Sequence, residues 1–141
     1  MTLHRLAVAI GALAVVGAGI AGYLTWVHFT GTDAYCVGAG GDCERVQTSR
    51  YADLAGAPVA VLGLGGYPAI LVSLAVHGSA GRRLTAFLAF VGLAFSAYLT
   101  YVELAIIDAI CQWCVASAAV MTTVAVASVA RVVVGETLTH P

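Results

Sequence analysis

Four long apolar runs, parted by two short polar breaks and one longer loop, leave this chain few ways to fold. They occupy about residues 6–29, 58–77, 84–107 and 110–134. A helix that crosses a bilayer needs about 20 consecutive apolar residues, so each run can serve as one span. Only 9% of the residues are charged and none is lysine, whereas soluble domains carry about 25% charged residues. That balance excludes a water-soluble globule, a nucleic-acid binder and a disordered chain. The expected architecture is an all-α integral membrane protein, a single four-helix transmembrane bundle over residues 1–141 with one long loop between the first and second helices. The first run exceeds the roughly 7–15 residues of a signal-peptide core and is read as a span. Pro58 suits the first turn of the second span, and Pro68 in its middle is expected to kink it. Residues 78–83 read as a turn. Gly11, Gly17, Gly19 and Gly22 in the first span, with Gly63, Gly65 and Gly66 in the second, read as small residues that let helices approach closely.

Arginine placement gives an orientation, because basic residues flanking spans stay on the cytoplasmic side. Four spans put Arg5, Arg82, Arg83 and Arg131 on one side and only Arg45 and Arg50 on the other. Both termini are therefore expected in the cytoplasm. The loop of residues 30–57 and the junction near Asp108 then share the extracytoplasmic face, and with them Cys36, Cys43, Cys111 and Cys114. Disulfides persist on that side of a membrane and are rare in the cytosol.

The four cysteines form two close pairs. Cys111-Gln112-Trp113-Cys114 is a Cys-X-X-Cys element at the start of an apolar helix. Free N–H groups at a helix start favour thiolate, the nucleophile of disulfide exchange, while burial near lipid opposes it. Asp108 is a candidate cap for the N–H of Cys111, or an ordinary turn residue. The other pair, Cys36 and Cys43, encloses Gly38, Gly40 and Gly41, a composition suited to movement. Three pairings of four cysteines exist, of which 36–43 with 111–114 is sterically simplest at rest. Passage of electrons between pairs would require a transient Cys43–Cys111 bridge. A structural zinc site on the four cysteines offers no reason for a membrane edge. Two inert staples in a non-catalytic bundle form a second reading. A redox relay accounts for both pairs lying on one face, and a lipid-dissolved quinone is its natural acceptor, since no haem or nucleotide motif is present.

These residues together are similar to the vitamin K epoxide reductase family. The resemblance lies in the loop pair, then Ser49, then Cys111-Gln-Trp-Cys114 at the head of the last span. The stretches Gly56-Ala-Pro58-Val-Ala-Val-Leu-Gly63-Leu-Gly-Gly66-Tyr67 and Tyr98-Leu-Thr-Tyr101 add to it. It implies a four-helix bundle holding a quinone (menaquinone, ubiquinone or phylloquinone) beside Cys114, with a loop helix lying over it. It also implies that Cys36 exchanges with a thioredoxin-like thiol oxidase, that Cys43 passes electrons to Cys111, and that Cys114 meets the quinone. Ser49 would hydrogen-bond near the quinone or the reactive sulfur, or serve as a cap. Val59, Leu62, Tyr67, Tyr101 and Ala118 would join Cys114 and Ser49 around the ring. Many bacterial members carry a fused thioredoxin domain; here the partner is expected to act in trans. Val59 and Ala118 stand where animal members carry an asparagine and a tyrosine, which favours reduction of quinone over reduction of vitamin K epoxide.

Some residues carry a second reading. Glu103, inside the third run, is a candidate proton relay, with direct access to water at the outer boundary as the simpler expectation. Tyr98 and Tyr101 are candidates for the quinone head or for an aromatic belt. Trp113 is expected to anchor among lipid headgroups, and His28 and His77 to be interfacial. Residues 44–54 are expected to form a short surface helix with Val46 and Leu54 facing down.

Overall fold

The computed structural model describes residues 2–37 and 42–140. Gly38, Gly40 and Gly41, on which the expectation of a movable loop rests, lie outside the described residues. Four long helices dominate: α1 (Thr2–Thr30), α3 (Val59–Ala75), α4 (Gly78–Val102) and α5 (Gln112–Thr139). Between α1 and α3 come the one-and-a-half-turn helix α2 (Asp42–Gln47) and a ladder of two-residue strands, β1 (Asp53–Leu54) and β2 (Ala57–Pro58). A π-helical turn, Glu103–Ile107, continues α4. Three helices, Thr2–Thr30, Gly78–Ile107 and Gln112–Thr139, are long and apolar enough to cross a membrane; Val59–Ala75 is apolar but shorter. The chain is a membrane protein, as its composition requires.

Each long helix packs on two others, so that α1, α3, α4 and α5 close a ring. Its centre is filled by Ile10, Ala14, Ala21, Tyr67, Ile70, Ala89, Met121, Val124 and Ala125. Small residues set the spacing, since lipid offers no hydrophobic push between helices. Gly17 faces the Tyr67 ring so closely that a β-carbon would overlap it. Gly11, Gly22 and Gly63 likewise lie against a neighbouring helix, whereas Gly19, Gly65 and Gly66 face open space and are not packing residues. Farther from the cysteines, Ser73 and Thr85 hydroxyls bond each other at 2.8 Å across α3 and α4. Each also donates to a carbonyl or can accept from its neighbour, so this buried pair is satisfied.

Several local expectations are corrected. Helix α4 begins at Gly78, so residues 78–83 are helix and not turn. The turn is compressed into Val76 and His77, with Gly78 at φ 85° and no room for a β-carbon at Gly81 beside the Val76 carbonyl. Polar Ser79, Arg82 and Arg83 mark the edge of the apolar run, and the helix simply continues past that edge. Likewise α5 runs on to Thr139. Pro58 is the extended residue before α3, not its first helical residue, and α3 passes through Pro68. The surface helix stops at Gln47, because the hydroxyls of Thr48 and Ser49 donate to the carbonyls of Glu44 and Val46 (2.7 and 2.8 Å) and close its end. Val46 is buried as expected, but Leu54 lies exposed in β1. The turn joining the strands carries positive φ at Ala55 and Gly56 (52° and 82°), the backbone of a two-residue hairpin turn.

Candidate active site

At one end of the ring the four cysteines meet. Cys43, Val46, Ala109 and Cys111 form one buried cluster, with Cys36, Ile107, Trp113 and Cys114 packed against it. Cys43 is 2% exposed and Cys111 0%. Cys36 and Cys43 are joined by a disulfide with Cα atoms 6.5 Å apart, while Cys111 and Cys114 are free thiols. Of the local pairings expected from sequence, 36–43 is formed and 111–114 is not: the loop pair is oxidised while the helix pair is reduced.

The two residues between Cys111 and Cys114 fasten the loop to the helix. Gln112 accepts from the N–H of Val37 and donates to the carbonyl of Tyr35, both at 3.3 Å. The Trp113 indole N–H donates to the same Tyr35 carbonyl at 2.8 Å, and its ring packs on Tyr23 with centroids 4.9 Å apart. Trp113 is therefore held by protein on two sides. From α2, the Gln47 amide points at both Cys111 and Cys114 sulfurs, at 4.0 and 3.9 Å. Neither Gln47 nor Gln112 stands out in the sequence, where each reads as an ordinary polar loop or motif residue.

Cys111 caps α5 in an extended conformation without a side-chain cap bond. Its N–H donates to Oε2 of Glu103 at 3.2 Å. Asp108, the expected cap, instead takes the left-handed conformation (φ 52°) that ends the π-helical turn, a backbone that Asp tolerates better than most residues. Its N–H and that of Ala109 both go to the Glu103 carbonyl. Glu103 is 4% exposed, so direct access to water is excluded and the residue belongs to the cysteine site. The Cys111 thiol is held down to about 7, chiefly by a hydrogen bond from the Cys114 thiol. Burial opposes this, N–H groups of Cys114 and Trp113 add to it, and the Glu103 charge works against it.

Below the cysteines, enclosed by all four long helices and roofed by residues 46–58, lies a cavity of about 430 Å³. That is within the roughly 300–1,000 Å³ typical of small-molecule pockets. Cys114, Ser49, Val59, Leu62, Tyr67 and Ala118 all line it, and so does Glu103. Tyr101 does not: it is 62% exposed on the outer face of α4, as is Tyr98 at 47%. Three residues apart on a helix, they share the face turned away from the bundle. Tyr67 donates to or accepts from the Ser117 hydroxyl at 2.7 Å, and Ser49 bonds the Val46 carbonyl. His28 lies on the cavity wall with Nε2 3.9 Å from Asp53, and His77 is exposed before α4. No cluster of His, Cys, Asp or Glu among the described residues is arranged to hold a metal ion.

A disulfide, a dithiol and an apolar cavity in one cluster make a site for thiol–disulfide exchange. The model of the vitamin K epoxide reductase family matches residues 8–129, nearly the whole chain, including all four cysteines. The chain belongs to the vitamin K epoxide reductase family, whose members are quinone-linked membrane oxidoreductases.

Proposed function

We propose that this protein is a membrane thiol–quinone oxidoreductase that supports disulfide formation in exported proteins. Its electrons come from a thioredoxin-like thiol oxidase acting in trans. The observation that carries this reading is the packing of both cysteine pairs into one cluster whose inner member, Cys114, opens on an apolar cavity. The reduced partner attacks the Cys36–Cys43 disulfide at Cys36. Freed Cys43 then attacks Cys111 of a Cys111–Cys114 disulfide and releases the Cys114 thiol; the partner's second thiol displaces Cys36 and leaves oxidised, and Cys36 attacks Cys43, re-forming the loop disulfide and releasing the Cys111 thiol. The state described here, loop pair oxidised and inner pair reduced, fits the step after that transfer and before delivery to quinone.

A quinone, when bound, supplies the two-electron sink. Cavity size and the apolar side chains Val59, Leu62 and Ala118 suit its ring, with Cys114 at the cysteine end. Ser49 and Tyr67 supply the polar edge; the Ser49 hydroxyl also ends α2. Val59 and Ala118 offer no proton donor for opening an epoxide, which favours quinone over vitamin K epoxide as substrate. All four long helices cross the membrane in this reading, with both termini cytoplasmic. At 17 residues α3 is about 26 Å long, close to the roughly 30 Å of hydrocarbon, and the remainder is met by thinning of the bilayer or by its lead-in strand.

Quinone reduction driven by a soluble dithiol, with Cys114→Ser as control, tests the proposal. Activity in the wild type and its loss in the variant are expected. Equal activity in both would refute the relay. Labelling that placed Cys36 and Cys114 on opposite sides of the membrane would refute the topology.

A further inference from the structure

Glu103 is the one buried carboxyl among the buried polar residues of the described chain, and the relay outlined above assigns it nothing. The π-helical turn that leads to the cysteine motif begins at this residue. Such turns recur at functional sites. The carboxylate holds the Cys111 N–H at 3.2 Å and faces the cavity that Cys114 also lines. A single group thus joins the backbone of the Cys-X-X-Cys motif to the space that its second sulfur opens on. Quinone reduction takes up two protons with its two electrons, and no other carboxyl lines this cavity.

We propose that Glu103 is the acid–base residue of the inner cysteine pair, taking the Sγ proton of Cys114 as that sulfur attacks and returning it to an oxygen of the acceptor. The inference rests on the thiol–quinone reading and adds a residue to it. In the complete step two S–H bonds break, the Cys111–Cys114 bond forms, and two electrons pass to the quinone, whose two carbonyls become hydroxyls. One proton travels through Glu103. The other is exchanged with water, released by Cys111 and taken up at the second ring oxygen. The remaining titratable groups around this space are His28 from α1, Tyr51 from the loop and Tyr67 from α3 on the cavity wall. Arg45 of α2 binds the Ile107 carbonyl at 3.2 Å, and Asp108 ends the same turn. Among these groups only Glu103 bonds the Cys-X-X-Cys segment itself.

Two variants separate proton transfer from positioning. Glu103→Gln keeps an oxygen for the Cys111 N–H but cannot carry a proton; Glu103→Asp keeps the proton chemistry on a shorter arm. Both are compared with the wild type in lipid nanodiscs, in the state with the loop disulfide intact and the inner pair reduced. The first readout uses no quinone: alkylation of Cys114 by N-ethylmaleimide, followed by mass spectrometry across pH. A positioned base contributes about 10²–10⁴-fold, so Glu103→Gln is expected to slow alkylation at neutral pH by about 10²-fold, with the difference closing as pH rises and the Asp variant recovering part of the rate. The second readout, reduction of a short-tailed quinone by a soluble dithiol, is expected to fall in parallel. A Gln profile that superimposes on the wild type overturns the proposal, as does equal loss in Gln and Asp variants, which marks a structural role. Expected alkylation profiles with no quinone reduced by the wild type support the Glu103–Cys114 pairing but overturn its delivery to a quinone, together with the thiol–quinone reading.

Discussion

Gln112 holds the loop cysteines over the inner pair through two hydrogen bonds, to Val37 N–H and Tyr35 C=O, both 3.3 Å long. Replacement by alanine removes both and leaves the Trp113 bond to Tyr35 and the Trp113–Tyr23 packing in place. A hydrogen bond contributes about 0.5–1.5 kcal/mol net. These two are long and solvent-accessible, so the lower end applies, and Gln112→Ala is expected to weaken docking of the loop by about 1 kcal/mol. At 1.4 kcal/mol per factor of ten, that corresponds to about a five-fold fall in the docked-to-undocked ratio, and with it a slower passage of Cys43 to Cys111. The assay is rapid-mixing transfer from a loop dithiol to an inner disulfide, read by acid quench and alkylation. The quinone half-reaction of the pre-reduced inner pair serves as the internal control and is expected to stay within two-fold of wild type. An unchanged transfer rate, or an equal fall in both half-reactions, would refute the view that this glutamine fastens one redox pair to the other.

Ultraviolet thiolate absorbance of the reduced inner pair is expected to titrate near pH 7 for Cys111. Cys114→Ala removes the chief donor to that thiolate and moves the midpoint up toward the ordinary thiol range. Because the folded-state value lies below the unfolded one, the associated stabilisation is complete above the unfolded value and is lost as pH falls through about 7. Gly17→Ala drives a methyl into the Tyr67 ring; overpacking of this kind costs about 1–3 kcal/mol and lowers the thermal midpoint in detergent, with relief expected in the Gly17→Ala, Tyr67→Leu double variant. Asp108→Gly is expected to preserve quinone reduction, whereas Asp108→Val meets the roughly 1–2 kcal/mol penalty of a left-handed residue and lowers it; equal activity in both would refute the assigned backbone role.

The membrane character of the chain and its two cysteine pairs were legible because they depend on local quantities, apolar run length and cysteine spacing. Resemblance carried further, to Ser49, Val59, Leu62, Tyr67 and Ala118, which line the same cavity as Cys114. Helix ends were less legible, since hydropathy reports where apolar residues stop and helices α4 and α5 extend beyond that point. Gln47 and Gln112 act across sequence separations of 64 to 77 residues, and nothing in their own neighbourhoods distinguishes them. Glu103 was misjudged for a specific reason. Its place near the end of an apolar run suggested the outer boundary, whereas the chain folds back over it and sets the Cys111 N–H on its carboxylate.

The wider π turn makes chain length itself a constraint. An α-helix advances about 100° per residue, so deleting one residue from 104–107 and letting the turn tighten would swing the carboxyl by roughly that angle relative to the motif, with every side chain named above still present. The segment between the third long helix and Cys111 therefore works as a spacer gauge. It tolerates exchanges of one aliphatic residue for another far better than the loss or gain of a single position.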